Sequence, residues 1–142
     1  MPNRLHILIS CASKKLPHKA QAKDLYISPL FRLNLAFAYS LKPNKIFILS
    51  AKHGLVGLEQ KLEPYEQTLN KMSEYEVKKW AKGVGEQMKG KIDFKNDNIV
   101  FLAGERYGKY LLPLFRKASV PMKGLGIGKQ LQYLKNKTNH AK

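Results

Sequence analysis

Lys45-Ile46-Phe47-Ile48-Leu49-Ser50 holds four consecutive apolar residues with no alternation, and this pattern decides the fold class. Strands buried on both faces look like this, as parallel strands covered by helices do. Leu5 to Ser10 reads as a first strand of the same kind and Asn98 to Ala103 as a third, each running into a polar stretch. Between the first two strands, Ser28-Pro29 supplies an N-cap and a proline at the first helical position. Leu30, Leu33, Phe37 and Leu41 then recur at helical spacing until Pro43. Ser73-Glu74-Tyr75-Glu76 is a capping box, and Val77, Trp80, Ala81, Val84 and Met88 form the apolar stripe of the helix it opens. A further helix is predicted from Gly104, with Tyr107, Tyr110, Leu111 and Leu114 on one face and a bend at Pro113. Val120 to Leu125 reads as a short fourth strand, and a last helix from about Gly126 should bury Ile127, Leu131 and Leu134. The alternation predicts one three-layer α/β domain over residues 1–136. Its sheet is mostly parallel, of about four strands, with helices on both faces and a basic tail at 137–142. Ala51 to Met72 shows no clean period, and an irregular connection of that length points to function.

The chain has 142 residues, 26 Lys+Arg against 10 Asp+Glu, and a formal net charge of +16. Such an excess attracts polyanions, with nucleic acid the first candidate and DNA the expected form. Residues 71–142 carry sixteen basic and six acidic side chains, against ten and four in residues 1–70. The C-terminal half is therefore expected to face phosphate. Arg4, Arg32, Arg106 and Arg116 are the only arginines, so a Lys-rich surface that merely solvates the protein is the alternative. The apolar runs are too short to span a bilayer, and the N-terminus lacks a signal peptide's long apolar segment. A cytoplasmic location is expected. A single cysteine, Cys11, excludes an internal disulfide framework and a cysteine-cluster metal site. No metal and no cofactor is expected.

In open α/β sheets ligands bind beyond the carboxyl ends of the strands. The segments that leave the three strands there are Ser10-Cys11-Ala12-Ser13-Lys14-Lys15, Ser50-Ala51-Lys52-His53-Gly54 and Gly104-Glu105-Arg106-Tyr107. They bring together the groups needed to grip a phosphate or a base. His53 is either a general acid or base or a loop histidine bonded to a carbonyl. Ser13, Lys14, Lys15 and Lys52 are candidate phosphate contacts or an ordinary solvated surface. Glu105 is a candidate catalytic carboxylate or a helix-start residue. Arg106 is the stronger candidate, because its planar fork suits phosphate or a base edge. Glu63-Pro64-Tyr65 could aim a carboxylate and a stacking ring into the site, or pin the loop to the core. Gly124 to Lys129 resembles a phosphate loop but lacks its glycine spacing and its Ser or Thr. That leaves Lys129 as a backbone-anion candidate near a helix start.

The stretches ILISCASKKLP (7–17), DLYISPLFR (24–32), KIFILSAKHGLVGLEQKLEPYEQTLNKMS (45–73), IVFLAGERYGKYLLPLF (99–115) and GLGIGKQLQYLK (124–135) resemble a small bacterial and phage family of uncharacterised proteins. More remotely, SAKHGLVGLEQKLEPYEQTLNKM (50–72) is similar to a segment of the YaaA peroxide-stress protein family. That likeness implies DNA binding and protection from oxidative damage. This chain shows no helix-hairpin-helix, so that family's docking element is not carried over. The compact pattern also looks like uracil-DNA glycosylase domains, an analogy of fold alone.

The leading expectation is a nucleic-acid-binding protein that acts on a base by N-glycosidase-like excision. Tyr65 or Tyr107 would stack on an extruded base, and His53, Glu63 and Glu105 would supply acid–base groups. A non-catalytic DNA-binding or stress-protection module and an enzyme acting on a free nucleotide or nucleoside are the alternatives.

Overall fold

A computed structural model describes residues 4–139. The first strand, β1 (Leu5–Ser10), is followed by a polar loop, the two-residue strand β2 (Ala20–Gln21) and a single turn of helix, α1 (Ala22–Leu25). Helix α2 (Pro29–Ser40) leads into β3 (Lys45–Ser50), which turns back as β4 (Gly54–Gly57). A second two-residue strand, β5 (Lys61–Leu62), a 3-10 turn (Leu69–Lys71) and helix α3 (Glu74–Met88) come next. The chain ends with β6 (Asn98–Leu102), α4 (Glu105–Gly108), a 3-10 turn (Leu112–Leu114), β7 (Lys117–Ser119) and α5 (Ile127–Asn139).

The main sheet has five strands in the order β4-β3-β1-β6-β7. β3, β1, β6 and β7 are parallel, and β4 closes one edge antiparallel to β3. The register puts Phe47, Leu8 and Phe101 side by side and, one residue on, Ile48, Ile9 and Leu102. Strand side chains alternate in direction, so these rows lie on opposite faces. The Leu8 row packs with Ala81, Val84 and Met88 of α3, and the Ile9 row with the α2 and α5 side. Those two cores make the fold a three-layer α/β domain, as the unbroken apolar runs require. Leu8 and Ile9 are fully buried, each contributing about 1.5–3 kcal/mol of transfer free energy.

Both predicted caps form. Ser28 Oγ accepts from Phe31 N at 3.2 Å, and Ser73 and Glu76 exchange hydrogen bonds of 3.2 and 3.0 Å. Several boundaries differ from the sequence reading. The fourth parallel strand is Lys117–Ser119, three exposed residues, and Val120 to Leu125 is mostly a turn. The helix expected from Gly104 to Leu114 stops after one turn at Gly108 and resumes as a 3-10 turn around Pro113. Of the three residues expected to be buried on the last helix, Leu134 is, Leu131 is half-buried and Ile127 is 68% exposed. The buried face of α2 is Phe31, Asn34, Leu35, Phe37 and Ala38, with Leu41 exposed. The irregular 51–72 stretch contains β4, and its β5 pairs with β2 in a small second sheet. Helix α5 carries the chain through Asn139, past the start of the stretch read as a basic tail. The rest of that tail, 140–142, lies outside the described residues.

The sheet positions a site because its connections diverge. From β1 the chain passes through α2 to β3 on one side, and from β6 it passes through α4 to β7 on the other. The crevice between the carboxyl ends of β1 and β6 is the switch point at which open α/β sheets take ligands. Among the described residues no helix is long and apolar enough to cross a membrane.

Candidate functional site

The carboxyl edge is built around hydroxyl groups. Ser50, the last residue of β3, is fully buried. Its Oγ accepts from the backbone N–H groups of His53 (3.0 Å) and Lys52 (3.3 Å), which folds the turn into β4. With both lone pairs engaged, the Ser50 hydroxyl donates to Tyr65 Oη at 2.7 Å. Tyr65 in turn donates to Tyr26 Oη at 2.5 Å. Burial raises both phenols, Tyr26 to about 12 and Tyr65 further, so each stays protonated at neutral pH.

Gly54 holds the β3–β4 turn. Its φ is +75°, and a Cβ there would lie 2.1 Å from Gln87 Oε1. The same Gln87 amide accepts from Leu55 N at 2.9 Å and donates to the His53 carbonyl at 3.2 Å. His53 is thereby presented at the turn, with its ring edge-on to Tyr65 at a centroid distance of 5.4 Å. Desolvation, then the nearby Lys52 ammonium, push its pKa below the ordinary 6.5. The imidazole is therefore neutral at pH 7 and able to accept a proton.

Lys15 approaches from the loop after β1. Its neighbours Lys14 and Leu16 are held by backbone hydrogen bonds to Ile27 and Leu25. Lys15 Nζ lies 4.3 Å from the Tyr65 ring centroid and 5.7 Å from that of Tyr26, a cation over two aromatic faces. Desolvation lowers its pKa, and Cys11 and Glu66 oppose that shift.

Across the switch point, Cys11 Sγ meets Tyr107 Oη at 3.3 Å, and burial raises the Tyr107 phenol too. Tyr107 packs edge-on against Trp80 at 5.6 Å. Trp80 Nε1 donates to the Ser50 carbonyl at 2.9 Å, tying α3 to the end of β3. Half-buried Cys11, Lys15, His53, Trp80 and Tyr107 thus surround buried Ser50, Tyr65 and Tyr26.

Of the residues predicted from sequence, Lys15, His53, Tyr65 and Tyr107 join this cluster, and Lys52 contributes its backbone N–H while its side chain is exposed. Ser13, Lys14, Glu63, Glu105 and Lys129 are exposed. The Ser13 carbonyl accepts from Lys15 Nζ at 3.3 Å. Glu105 lines a groove of about 850 Å³ floored by Phe101, Leu112 and Met122 and edged by Lys123 and Gly124 to Gly126. Neither the Glu63 nor the Glu105 side chain makes a hydrogen bond among the described residues. Arg106 is turned inward. Its Nε and Nη2 donate to the carbonyls of Leu69 (3.0 Å) and Met72 (2.5 Å), and Nη1 lies 3.7 Å from Glu74 Oε1. Its fork clamps the 69–72 turn, which the expectation of a phosphate contact did not foresee. The sequence reading places Ser50 in a strand-end segment of the site without a role of its own, and takes Trp80 as core. Among the described residues no three His, Cys, Asp or Glu side chains gather as metal ligands.

Compared with curated proteins and with solved structures, the chain shows no significant match. A family model described as "Family of unknown function (DUF6884)" matches residues 7–136, and the chain belongs to that family.

Proposed function

We propose that this protein binds nucleic acid, with DNA as the first candidate, and receives a base at the Tyr65 cluster on the carboxyl edge of its sheet. The observation that carries this reading is the fate of the acidic side chains. Among the described lysines and arginines only Lys89, Arg106 and Lys109 pair with a carboxylate. Glu76 is used in the capping box, Asp93 in its own turn, and Asp97 on His6. Ten carboxylates against 26 Lys and Arg leave a net charge of +16, and most of the lysines have no ion-pair partner among the described residues, which favours a polyanionic partner. At the cluster, Lys15 offers a cation to an acceptor edge or phosphate, and Tyr107, Trp80 and His53 offer half-buried ring surface for a base. In a hydrolytic release of that base, neutral His53 would take a proton from the water that attacks the sugar carbon, while the N-glycosidic bond breaks and its electron pair leaves with the base, which picks up a proton from solvent. Glu63 and Glu105 make no hydrogen bond to the cluster, so binding is better supported than excision.

The test compares affinities for single-stranded DNA, duplex DNA, RNA and mononucleotides, together with assays for abasic sites. Polymers are expected to bind far more tightly than mononucleotides, and Lys15→Gln to weaken binding severalfold. His53→Ala should weaken binding modestly through lost ring surface and remove any base release. Equal affinity for a mononucleotide and a polymer would overturn the proposal in favour of a free-nucleotide enzyme.

A further inference from the structure

A second concavity, of about 800 Å³, is formed between the outer face of α3, the segment around Tyr110 and Leu114, and Phe94. On α3, Tyr75, Lys78, Lys79 and Lys82 recur at three- and four-residue intervals, which puts them on one side of the helix. All four are exposed, Tyr75 to 73%. The facing wall is held in place. The Tyr110 hydroxyl donates to Glu74 Oε2 at 2.5 Å, and Phe94 packs on Phe115 at 5.5 Å. Among the described residues Lys78, Lys79 and Lys82 have no carboxylate within ion-pair distance, whereas Glu86, the groove's one acidic side chain, is taken by Lys89 at 3.1 Å.

We infer that this groove is a docking track for single-stranded nucleic acid, with phosphates on Lys78, Lys79 and Lys82 and bases against Tyr75, Tyr110 and Phe94. The inference rests on the nucleic-acid reading above and adds which form is bound and where. Unpaired bases are what the aromatic walls select, because a duplex hides its base faces and offers mainly phosphate. Charge selects a polyanion, since the groove's lysines lack internal partners. The same helix connects the two regions: Lys79 faces the groove while the next residue, Trp80, reaches Ser50.

The experiment measures binding of a labelled oligothymidylate to the full chain across a salt series. It compares wild type, Lys78→Gln/Lys82→Gln, Tyr75→Leu, and Lys42→Gln/Lys45→Gln as an equal charge change at a distance. The groove pair is expected to lower the salt slope by about 1.4, at roughly 0.7 per lost single-strand contact. Tyr75→Leu is expected to weaken binding roughly tenfold through lost stacking, with the slope unchanged. The distant pair should change little. All replaced side chains are exposed, and thermal melts verify that each variant stays folded. Equal losses from the groove and distant pairs, or wild-type behaviour of both groove variants, would overturn the track while leaving nucleic-acid binding intact. No binding by the wild type at low salt would overturn both. Capture of anionic phosphatidylserine vesicles without oligonucleotide binding would reassign the groove to a membrane surface and also overturn both.

Discussion

Replacing Asp97 by alanine is expected to cost the fold about 3–4 kcal/mol. Asp97 is 6% exposed and its Oδ2 accepts from His6 Nε2 at 2.9 Å and from Asp93 N at 2.8 Å. His6 is fully buried on β1 beside Phe47, and its other ring nitrogen, Nδ1, has no partner. Removing the carboxylate leaves the ring without any hydrogen bond in a site that water does not reach. It also orphans the Asp93 N–H that shapes the turn into β6. Asp97→Asn keeps an acceptor oxygen and is expected to lose only about 1–2 kcal/mol. Denaturant unfolding of the two variants checks this. A loss below about 1 kcal/mol for the alanine variant would mean that the pair is dispensable.

Arg106→Met is expected to destabilise by about 2–3 kcal/mol, through two lost charge-assisted bonds to backbone carbonyls. It should leave the salt dependence of nucleic-acid binding unchanged. The guanidinium joins the start of α4 to the Leu69–Met72 turn and the beginning of α3. Without it, that turn loses its anchor and α3 loses the restraint on its first residues. Arg32 behaves in the same way, its guanidinium donating to the Lys23 and Asp24 carbonyls at 3.1 Å. Two of the four arginines thus serve the backbone, and lysine carries most of the outward charge. Unfolding measurements and a salt titration separate the roles of Arg106. A variant of wild-type stability whose salt slope falls by about one would identify a phosphate contact instead.

What could be read from the chain follows from where the physical signal is local. β1, β3 and β6 announce themselves because burial on both faces demands unbroken apolar runs, and the caps of α2 and α3 are set by residues three positions apart. β7 has no such signal, since Lys117, Ala118 and Ser119 are all exposed at the sheet edge and are held by backbone pairing to β6. β4 is four residues that begin and end on glycine, and its pairing depends on Ser50 and Gln87 arranging the turn around Gly54. The premature end of α4 at Gly108 is likewise invisible to a face-counting argument, because Tyr107 and Tyr110 serve different partners: Tyr107 meets Cys11 and Tyr110 meets Glu74.

The site divides along the same line. Strand-end logic finds Lys15, His53 and Tyr107, and the Pro64-Tyr65 pair finds Tyr65, since each sits within a few residues of a strand end or in the long connection. The roles of Ser50 and Trp80 are missed because they arise from contacts 15 and 30 residues away. The backbone bonds of Arg106 go unforeseen for a related reason. Its partners are main-chain carbonyls more than thirty residues away, and backbone acceptors leave no trace in side-chain composition.

The central claim is that lysines left uncompensated by the fold bind a polyanion. The most direct measurement is the slope of log affinity against log salt for single-stranded DNA and the intact chain, between about 50 and 200 mM. Engagement of about six phosphates gives a slope near −4, whereas a slope near zero would contradict the claim.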